Sequence, residues 1–316
     1  MRIERIGVHA CTVPTSAPES DGTHAWDSTT FVTVEVTAGS ATGVGYTAAD
    51  ASAAALVADT LAARVLGEDP IAVARCWRRM HDEIRNQGHC GLAYMALSAV
   101  DCAVWDLKAR LLGLPLDLLL GGSRSSVEIY GSGGFTSMSP DEVAEQLAGW
   151  VGEGIHAVKI KVGRRPERDL ERVRTARDAI GPGVRLMVDA NGAYDRKQAL
   201  TFAELYGRHG VSWFEEPVAS DDLEGLRLLR DRGPSGMEMT AGEYGFRPEY
   251  FRRILDAQAV DVLMADVTRC GGITGMLTVA ELCRSFHVPL SIHCAPMMSA
   301  HVACAVEPIQ IGRAHV

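Results

Sequence analysis

The sequence lacks several features that mark common functional classes. Its 8 cysteines form no C-x-x-C pair, no run of about 18 apolar residues could cross a membrane, and no G-x-G-x-x-G follows an early strand. The net charge is −9, and no segment concentrates the 31 basic residues. These absences argue against a zinc or disulfide-rich protein, a membrane protein, a dinucleotide-binding sheet and a nucleic-acid-binding surface.

The N-terminus and the composition indicate the compartment and the size of the core. The first ten residues, MRIERIGVHA, do not have the positive-then-apolar layout of a secretory signal peptide. We therefore expect a cytoplasmic protein whose cysteines are reduced and mostly structural. With 316 residues, of which 47% are hydrophobic and 22% are charged, the chain is long enough to form two domains.

The first part of the chain, residues 1–122, begins with strands and continues with helices. TTFVTVEVTAG alternates between two faces, as a strand does, and the polar segment VPTSAPESDGTHAWDS before it is interpreted as a loop. Helical spacing follows at about 52–66, 70–85 and 92–112. Strands followed by helices predict an α+β domain.

From residue 123 onward, short apolar strands alternate with amphipathic helices, which is typical of parallel βα units. Seven strands are predicted, near residues 127–132, 156–161, 184–189, 211–215, 237–242, 260–266 and 288–293. We therefore predict an α/β fold in which a (β/α)8-type TIM barrel, the catalytic domain at 123–310, carries the N-terminal α+β capping domain at 1–122.

The end of the chain departs from this pattern. After the predicted helix MMSAHVACAV only EPIQIGRAHV remains, which is short for an eighth strand with its helix. The last six residues match a translation of sequencing-adapter DNA, so residues 311–316 are predicted to be a foreign tail. We accordingly expect a truncated barrel without its eighth strand, which would leave two strand edges unpaired.

Charged side chains stand at the carboxyl ends of six consecutive predicted strands. In chain order they are Lys159 with Lys161, Asp189, Glu215, Glu243, Asp266 and His293. In a (β/α)8 barrel these strand ends meet at the face where active sites are built. The pattern therefore predicts one site at the barrel mouth.

Three of these groups are carboxylates on neighbouring strands, namely Asp189, Glu215 and Glu243. Buried carboxylates that converge repel one another unless a cation lies among them. A ligand set of oxygen atoms, without cysteine or histidine, favours a hard ion. The sequence therefore predicts a Mg2+ site, with Mn2+ as the second choice.

The remaining charged groups suggest proton transfer at carbon. Lys159 and Lys161 are two residues apart on a strand, so they point to the same face. A divalent ion bound to a substrate carboxylate would stabilise the enolate that forms when the α-proton leaves. Lys159 would add positive charge, and Lys159 and the metal together would lower the pKa of Lys161, making Lys161 a base. Asp266 would fix the tautomer of His293, which gives a second acid/base group across the substrate.

These motifs, in this order and spacing, resemble those of the enolase superfamily, specifically its mandelate racemase subgroup. The matching segments are ALSAVDCAVWDLKARLLGLPLDLLLGG (96–122), the K-x-K of VKIKVG, DAN (189–191), FEEP (214–217), AGE (241–243), the Asp266 strand followed by CGGIT, and His293. The resemblance implies that Asp189, Glu215 and Glu243 bind the metal. It also implies that Lys161 is one acid/base group and that His293 with Asp266 is the other.

The resemblance also implies roles for residues that spacing alone does not single out. Lys159 would contact the substrate carboxylate and Asn191 a substrate oxygen. Trp26 and His24 lie in the segment that closes over the site in this family, so one of them would contact substrate, with packing of Trp26 inside the loop as the alternative. An acid on the eighth strand of the family binds the substrate carboxylate, and its place falls near Arg313, inside the predicted tail.

The activity implied by the resemblance is abstraction of the proton next to a carboxylate in a small-molecule substrate. We expect dehydration of an acid sugar to a 2-keto-3-deoxy acid, a step of carbohydrate acid catabolism, with racemisation or epimerisation of a 2-hydroxy acid as the alternative. Family members are commonly dimers or octamers, so a homo-oligomer is expected. The alternative of another class is a truncated, non-catalytic, metal-binding relic.

Overall fold

The computed structural model describes residues 1–314, and its first layer is a sheet covered by helices. The strands are β1 (Arg5–Ser20), β2 (Ala25–Ala38) and β3 (Ala41–Ala48). The helices are α1 (Ser52–Ala55), which continues through a π-helical turn (Leu56–Leu61) into α2 (Ala62–Val65), then α3 (Val73–Glu83) with a 3-10 turn (Ile84–Asn86), α4 (Gly91–Leu112) and α5 (Leu116–Leu119). The predicted α+β arrangement of this part is confirmed.

The antiparallel sheet, in the order β1-β2-β3, packs on α4 through small residues of β3. A Cβ atom at Gly45 would lie 2.1 Å from the carbonyl oxygen of Ala99, and one at Gly43 would lie 2.2 Å from that of Ala103. Glycine is therefore required for the strand to approach the helix backbone this closely. The neighbouring strand β2 contributes valines at alternate positions, all buried, to the same core.

The expectation of a polar loop at residues 13–28 is wrong. The chain there extends β1 and β2 into a long hairpin, with an irregularity in pairing between Pro14 and Glu19 and a tight turn after Ser20. The side chain of Asp21 closes the turn, because its Oδ1 accepts the backbone N–H of His24 at 2.7 Å. Prolines are tolerated in β1 because it is an edge strand, where a missing N–H breaks no central ladder.

The second part of the chain is a closed barrel of eight parallel strands. Its elements are β4 (Glu128–Gly133), α6 (Pro140–Gly152), β5 (Ala157–Lys161), α7 (Pro166–Ile180), β6 (Arg185–Asp189), α8 (Arg196–Gly207), β7 (Val211–Glu215), α9 (Leu223–Arg232), β8 (Glu238–Ala241), α10 (Pro248–Asp256), β9 (Val262–Ala265), α11 (Gly272–Phe286), β10 (Leu290–Ile292), α12 (Pro296–Ala305) and β11 (Ile309–Ala314). The predicted barrel class and its seven predicted strands are confirmed.

The expected absence of the eighth strand is wrong, because β11 pairs with β10 on one side and with β4 on the other. Six residues suffice, since β10 itself has only three, and Ile309 and Ile311 supply the buried side chains. The backbone of Arg313, the position expected for the family's acid, pairs with Tyr130. A foreign origin of 311–316 stays a prediction, and 315–316 lie outside the described residues.

Side chains fill the barrel interior below the mouth, so the barrel is a packed core rather than a channel. The inward cluster consists of Tyr130, Ala157, Met187, Trp213, Val262, Met264 and Ile311. The charged strand ends lie above this layer, and the sheet layer covers them. Within residues 1–314, none of the helices has the length and apolar character needed to cross a membrane.

Contacts in two regions help to fix the sheet layer on the barrel. Far from the hairpin, Asp101 of α4 accepts the backbone N–H and the hydroxyl of Thr274 in α11, at 2.9 and 2.7 Å. At the hairpin tip, the Thr136 hydroxyl after β4 donates to the backbone oxygen of Asp21 at 2.9 Å, and Gly22 lies against backbone oxygens of the barrel mouth. The boundary between 1–122 and 123–310 remains our proposal.

Candidate active site

The three predicted carboxylates converge at the barrel mouth. Asp189 ends β6, Glu215 ends β7 and Glu243 follows β8, and all three are buried. One carboxylate oxygen from each of the three lies within 4.8 Å of the other two. Within the described residues, Glu215 Oε1 is buried without a hydrogen-bond partner. The acidic groups are thus placed to form a metal site, and an oxygen-only donor set with an unused buried oxygen suits a hard divalent cation.

Both lysines of β5 point into the same site, as their alternation predicted. Lys159 Nζ donates to Glu215 Oε2 and lies 3.7 Å from Asp189 Oδ2, while Lys161 Nζ donates to Asp189 Oδ2. Lys159 Nζ also lies 5.1 Å from the centroid of the Tyr130 ring, which offers it a favourable cation–π contact. The lysines therefore lie beside the acids and offset part of their negative charge.

The electrostatics of Lys161 depend on the charges that surround it. Burial, the largest effect, lowers its pKa, but the negative charges of Asp189, Glu243 and Glu215 together more than offset this, so the pKa lies above its ordinary value. Conversely, burial and then the charge of Asp189 raise the pKa of Glu215 to about 7. A lowered pKa of Lys161 therefore requires that a cation take up the charge of the acids.

The histidine and aspartate on adjacent strands form the expected pair. Asp266 Oδ2 lies 2.8 Å from His293 Nδ1, and Asp266 Oδ1 accepts the backbone N–H of Thr268 at 2.8 Å and its hydroxyl at 2.7 Å. Burial, the largest effect, raises the pKa of Asp266, but its bond to His293 and the nearby charges of His293 and Arg269 together outweigh burial, and the pKa falls to about 2. The imidazole is thereby oriented with Nε2 towards Glu243, whose Oε2 lies 3.0 Å away.

Asn191 and Trp26, which only the resemblance pointed to, also face the site. The amide Nδ2 of Asn191 lies 3.4 Å from Asp189 Oδ2, and its Oδ1 is buried without a hydrogen-bond partner in the described part of the chain. Asparagine also tolerates the left-handed backbone found there, with φ at 48°. The ring of Trp26 lies edge-on to Phe135, 5.6 Å between centroids, at the wall of the cavity.

A cavity of about 860 Å³ lies between the barrel mouth and the sheet layer. The barrel contributes Lys161, Asn191, Glu243, Asp266 and His293 to its lining. The hairpin and β3 contribute the facing wall, in which side chains two apart on β2 point into the cavity. The cavity thus joins the proposed metal ligand Glu243 and the two proposed acid/base groups to a separate wall that can select the rest of a substrate.

Several residues of the site were missed by sequence reasoning. Arg269 is mostly buried, donates to the backbone oxygen of Glu243 at 3.0 Å and lies 5.6 Å from the ring centroid of Tyr244. Glu216 is buried beside Glu215 in FEEP. Their positions in the sequence could have indicated them, because Arg269 follows Asp266 by three residues and Glu216 is adjacent to the strand-end acid Glu215. Glu19 gave no signal, since its segment was interpreted as a loop.

Comparison with family models covers most of the chain. Residues 5–121 match the model described as "Mandelate racemase / muconate lactonizing enzyme, N-terminal domain". Residues 142–316 match the model described as "Enolase C-terminal domain-like". The two matches fall on the sheet layer and on the barrel, respectively.

Individual relatives have several activities. The chain is 34% identical to D-galactarolactone cycloisomerase of Agrobacterium fabrum, over 89% of this chain and 75% of that protein. It is 32% identical to L-talarate/galactarate dehydratase of Salmonella typhimurium, over 79% of this chain and 64% of that protein. The chain thus spans about two thirds to three quarters of these relatives.

Solved structures superpose closely on this chain. A mandelate racemase/muconate lactonizing enzyme-like protein from Rubrobacter xylanophilus is 54% identical, with a TM-score of 0.97 over 99% of this chain and 87% of that one. A racemase from Streptomyces coelicolor A3(2), solved with bound magnesium, is 30% identical, with a TM-score of 0.95 over 99% of this chain and 89% of that one.

Proposed function

Because the chain belongs to the mandelate racemase and muconate lactonizing enzyme family of the enolase superfamily, we propose that it abstracts the proton next to a substrate carboxylate. Mg2+ would be held by Asp189, Glu215 and Glu243, with Mn2+ as the second choice. The magnesium in the Streptomyces coelicolor racemase supports this assignment. When bound, the ion supplies positive charge that stabilises the enolate.

The observation that carries the proposal is the pairing of a lysine couple and a histidine–aspartate couple around three buried carboxylates. Lys159 binds and neutralises the substrate carboxylate, and Lys161 Nζ takes the α-proton on its side of the substrate. His293 Nε2, oriented by Asp266, exchanges a proton on the other side. Enclosure below the sheet layer excludes water and strengthens these interactions.

The finer proposal is dehydration of an acid sugar. The α-proton leaves to the base, the 3-hydroxyl leaves as water with a proton from the His293 imidazolium, and the enol becomes a 2-keto-3-deoxy acid. The relative named as a talarate/galactarate dehydratase supports this reaction. Racemisation of a 2-hydroxy acid is the second candidate, because a proton-transfer group on each side of the substrate also permits removal on one face and return on the other.

One panel experiment tests the proposal. Acid sugars and 2-hydroxy acids are incubated with the protein and Mg2+ in deuterated water, and 2-keto acid and deuterium at the α-carbon are measured. Dehydration predicts 2-keto acid, racemisation predicts deuterated substrate of both configurations, and chelation of the metal should abolish either. If no acid reacts or exchanges, the proposal is wrong and a non-catalytic metal-binding protein becomes the better interpretation.

A further inference from the structure

The wall of the cavity that faces the barrel is acidic. Eight residues of the sheet layer line it, and among them Glu19 and Asp21 are acids while none is lysine, arginine or histidine. The cations that line the cavity, namely Lys161, Arg269 and His293, all come from the barrel. Charge is therefore divided across the cavity, with cations at the reactive end and carboxylates at the opposite wall.

The barrel cations already have acidic partners in this structure. Lys161 donates to Asp189, His293 lies 2.8 Å from Asp266, and Arg269 donates to a backbone oxygen while its Nε lies 3.6 Å from Asp266. A second substrate carboxylate would thus find no unpartnered cation among the described residues that line the cavity.

The carboxylate of Glu19 is held in place rather than free to turn away. Its Oε2 accepts the indole N–H of Trp26 at 2.8 Å, and the Trp26 ring rests edge-on against Phe135. Asp21 is buried, and its Oδ1 accepts the backbone N–H groups of Thr23 and His24 at 2.7 Å each. Both carboxyl groups are therefore held at this end of the cavity.

The rest of the wall suits a neutral, hydroxylated chain. Thr29, Thr33 and Tyr46 present hydroxyl groups, and Trp26 and Phe31 present ring faces on which the C–H face of a polyol can pack. A carboxylate such as Glu19 accepts hydrogen bonds from hydroxyl groups but repels another carboxylate.

We infer that the substrate is a monocarboxylic acid with a neutral polyhydroxy tail, of the aldonate class, and that Glu19 excludes dicarboxylic acid sugars. The inference rests on the proposed function, which places the reacting carboxylate at the barrel end. The chain of such a substrate extends from there to the sheet layer, so the far carboxylate of a diacid meets Glu19 and Asp21. Repulsion between the far carboxylate and these two acids weakens diacid binding on the order of 100-fold.

The test compares aldonates and aldarates of identical stereochemistry, which differ only at the far carbon. We expect kcat/KM to favour the aldonate about 100-fold, and Glu19→Gln, which keeps an acceptor oxygen, to reduce this preference at least tenfold by improving the aldarate. Glu4→Gln removes the same charge at an exposed position of the sheet layer outside the cavity and should leave the preference unchanged. An aldarate used as well as its aldonate, or a preference unaltered by Glu19→Gln, overturns the inference.

Binding separates this inference from the proposed function. Dissociation constants of the same pairs, measured by titration calorimetry with Mg2+ on the Lys161→Ala variant, do not depend on turnover. Tighter binding of aldonates without any reaction would leave the inference standing and refute the proposed chemistry. Turnover of aldarates in preference to aldonates would support the chemistry and refute the inference.

Discussion

Docking of the hairpin tip on the barrel mouth should be indispensable for activity, and Gly22 allows a direct test. A Cβ atom at Gly22 would lie 2.2 Å from the carbonyl oxygen of Ala190 and 2.7 Å from that of Val162. Both are backbone atoms beside the proposed catalytic strand ends, so neither can move aside as a flexible side chain could. Gly22→Ala must therefore push the tip outward.

The size of the effect follows from these distances. Relief of the overlap requires a displacement of about 1 Å or more, since non-bonded carbon contacts lie near 3.5 Å. The displaced tip carries Trp26 and Glu19 away from the cavity, and a misplacement of about 1 Å can cost roughly 100-fold in rate. The bonds of Thr136 to Ser20 and Asp21 would weaken, at about 1 kcal/mol each, so unfolding free energy should fall by only about 1–3 kcal/mol.

The assay measures kcat/KM together with unfolding by urea, and Gly7→Ala is the matched control. Gly7 lies on β1, the strand that leads to the tip, and the nearest atoms to a Cβ there are 3.8 Å away, so Gly7→Ala should change the unfolding free energy by less than about 0.5 kcal/mol. If Gly22→Ala folds and keeps activity within about threefold of the wild type, docking of the tip does not organise the site and this reasoning is refuted.

Two further predictions concern proton equilibria. Burial raises the pKa of Asp101 from 3.8 to about 7. Between these two pH values the carboxyl group binds a proton in the folded state but not in the unfolded state, so the free energy of unfolding should fall as pH rises from about 4 to about 7, by about 4 kcal/mol at most. Urea titrations should show that the free energy of unfolding of Asp101→Asn depends less on pH than that of the wild type. An identical pH dependence would contradict the assignment. Lys161→Ala should slow deuterium uptake on one face of the substrate by about 100-fold or more, and His293→Asn should do the same on the other face. Uptake retained on both faces by either variant would count against the role of the replaced residue.

The barrel could be predicted from sequence because its buried parallel strands are short apolar runs with a charged residue at the end. VKIKVG and RLMVDAN show this pattern, and Lys161 pairs directly with Asp189 in the sheet. The eighth strand was missed because IQIG offers only two large apolar residues next to a glycine. Its stability comes from pairing with strands on both sides, which a local pattern does not reveal.

The site was predictable where geometry follows from topology. Strand-end residues meet at one face whatever the loops do, so the acids, the lysines and the histidine could be placed together. The hairpin was not predictable, because Pro14 and Pro18 indicate a loop unless the strand is known to be at an edge. Glu19 could not be placed for the same reason, since its position depends on pairing opposite Trp26.

The most direct test of the account is the location of a divalent ion. Crystals grown with Mn2+ in place of Mg2+, measured with anomalous scattering, should show a peak among Asp189, Glu215 and Glu243. That peak should disappear in Glu215→Gln crystals or lose most of its height. Absence of a peak there in the wild-type protein, or a peak only elsewhere, would contradict the central claim that these carboxylates form the metal site.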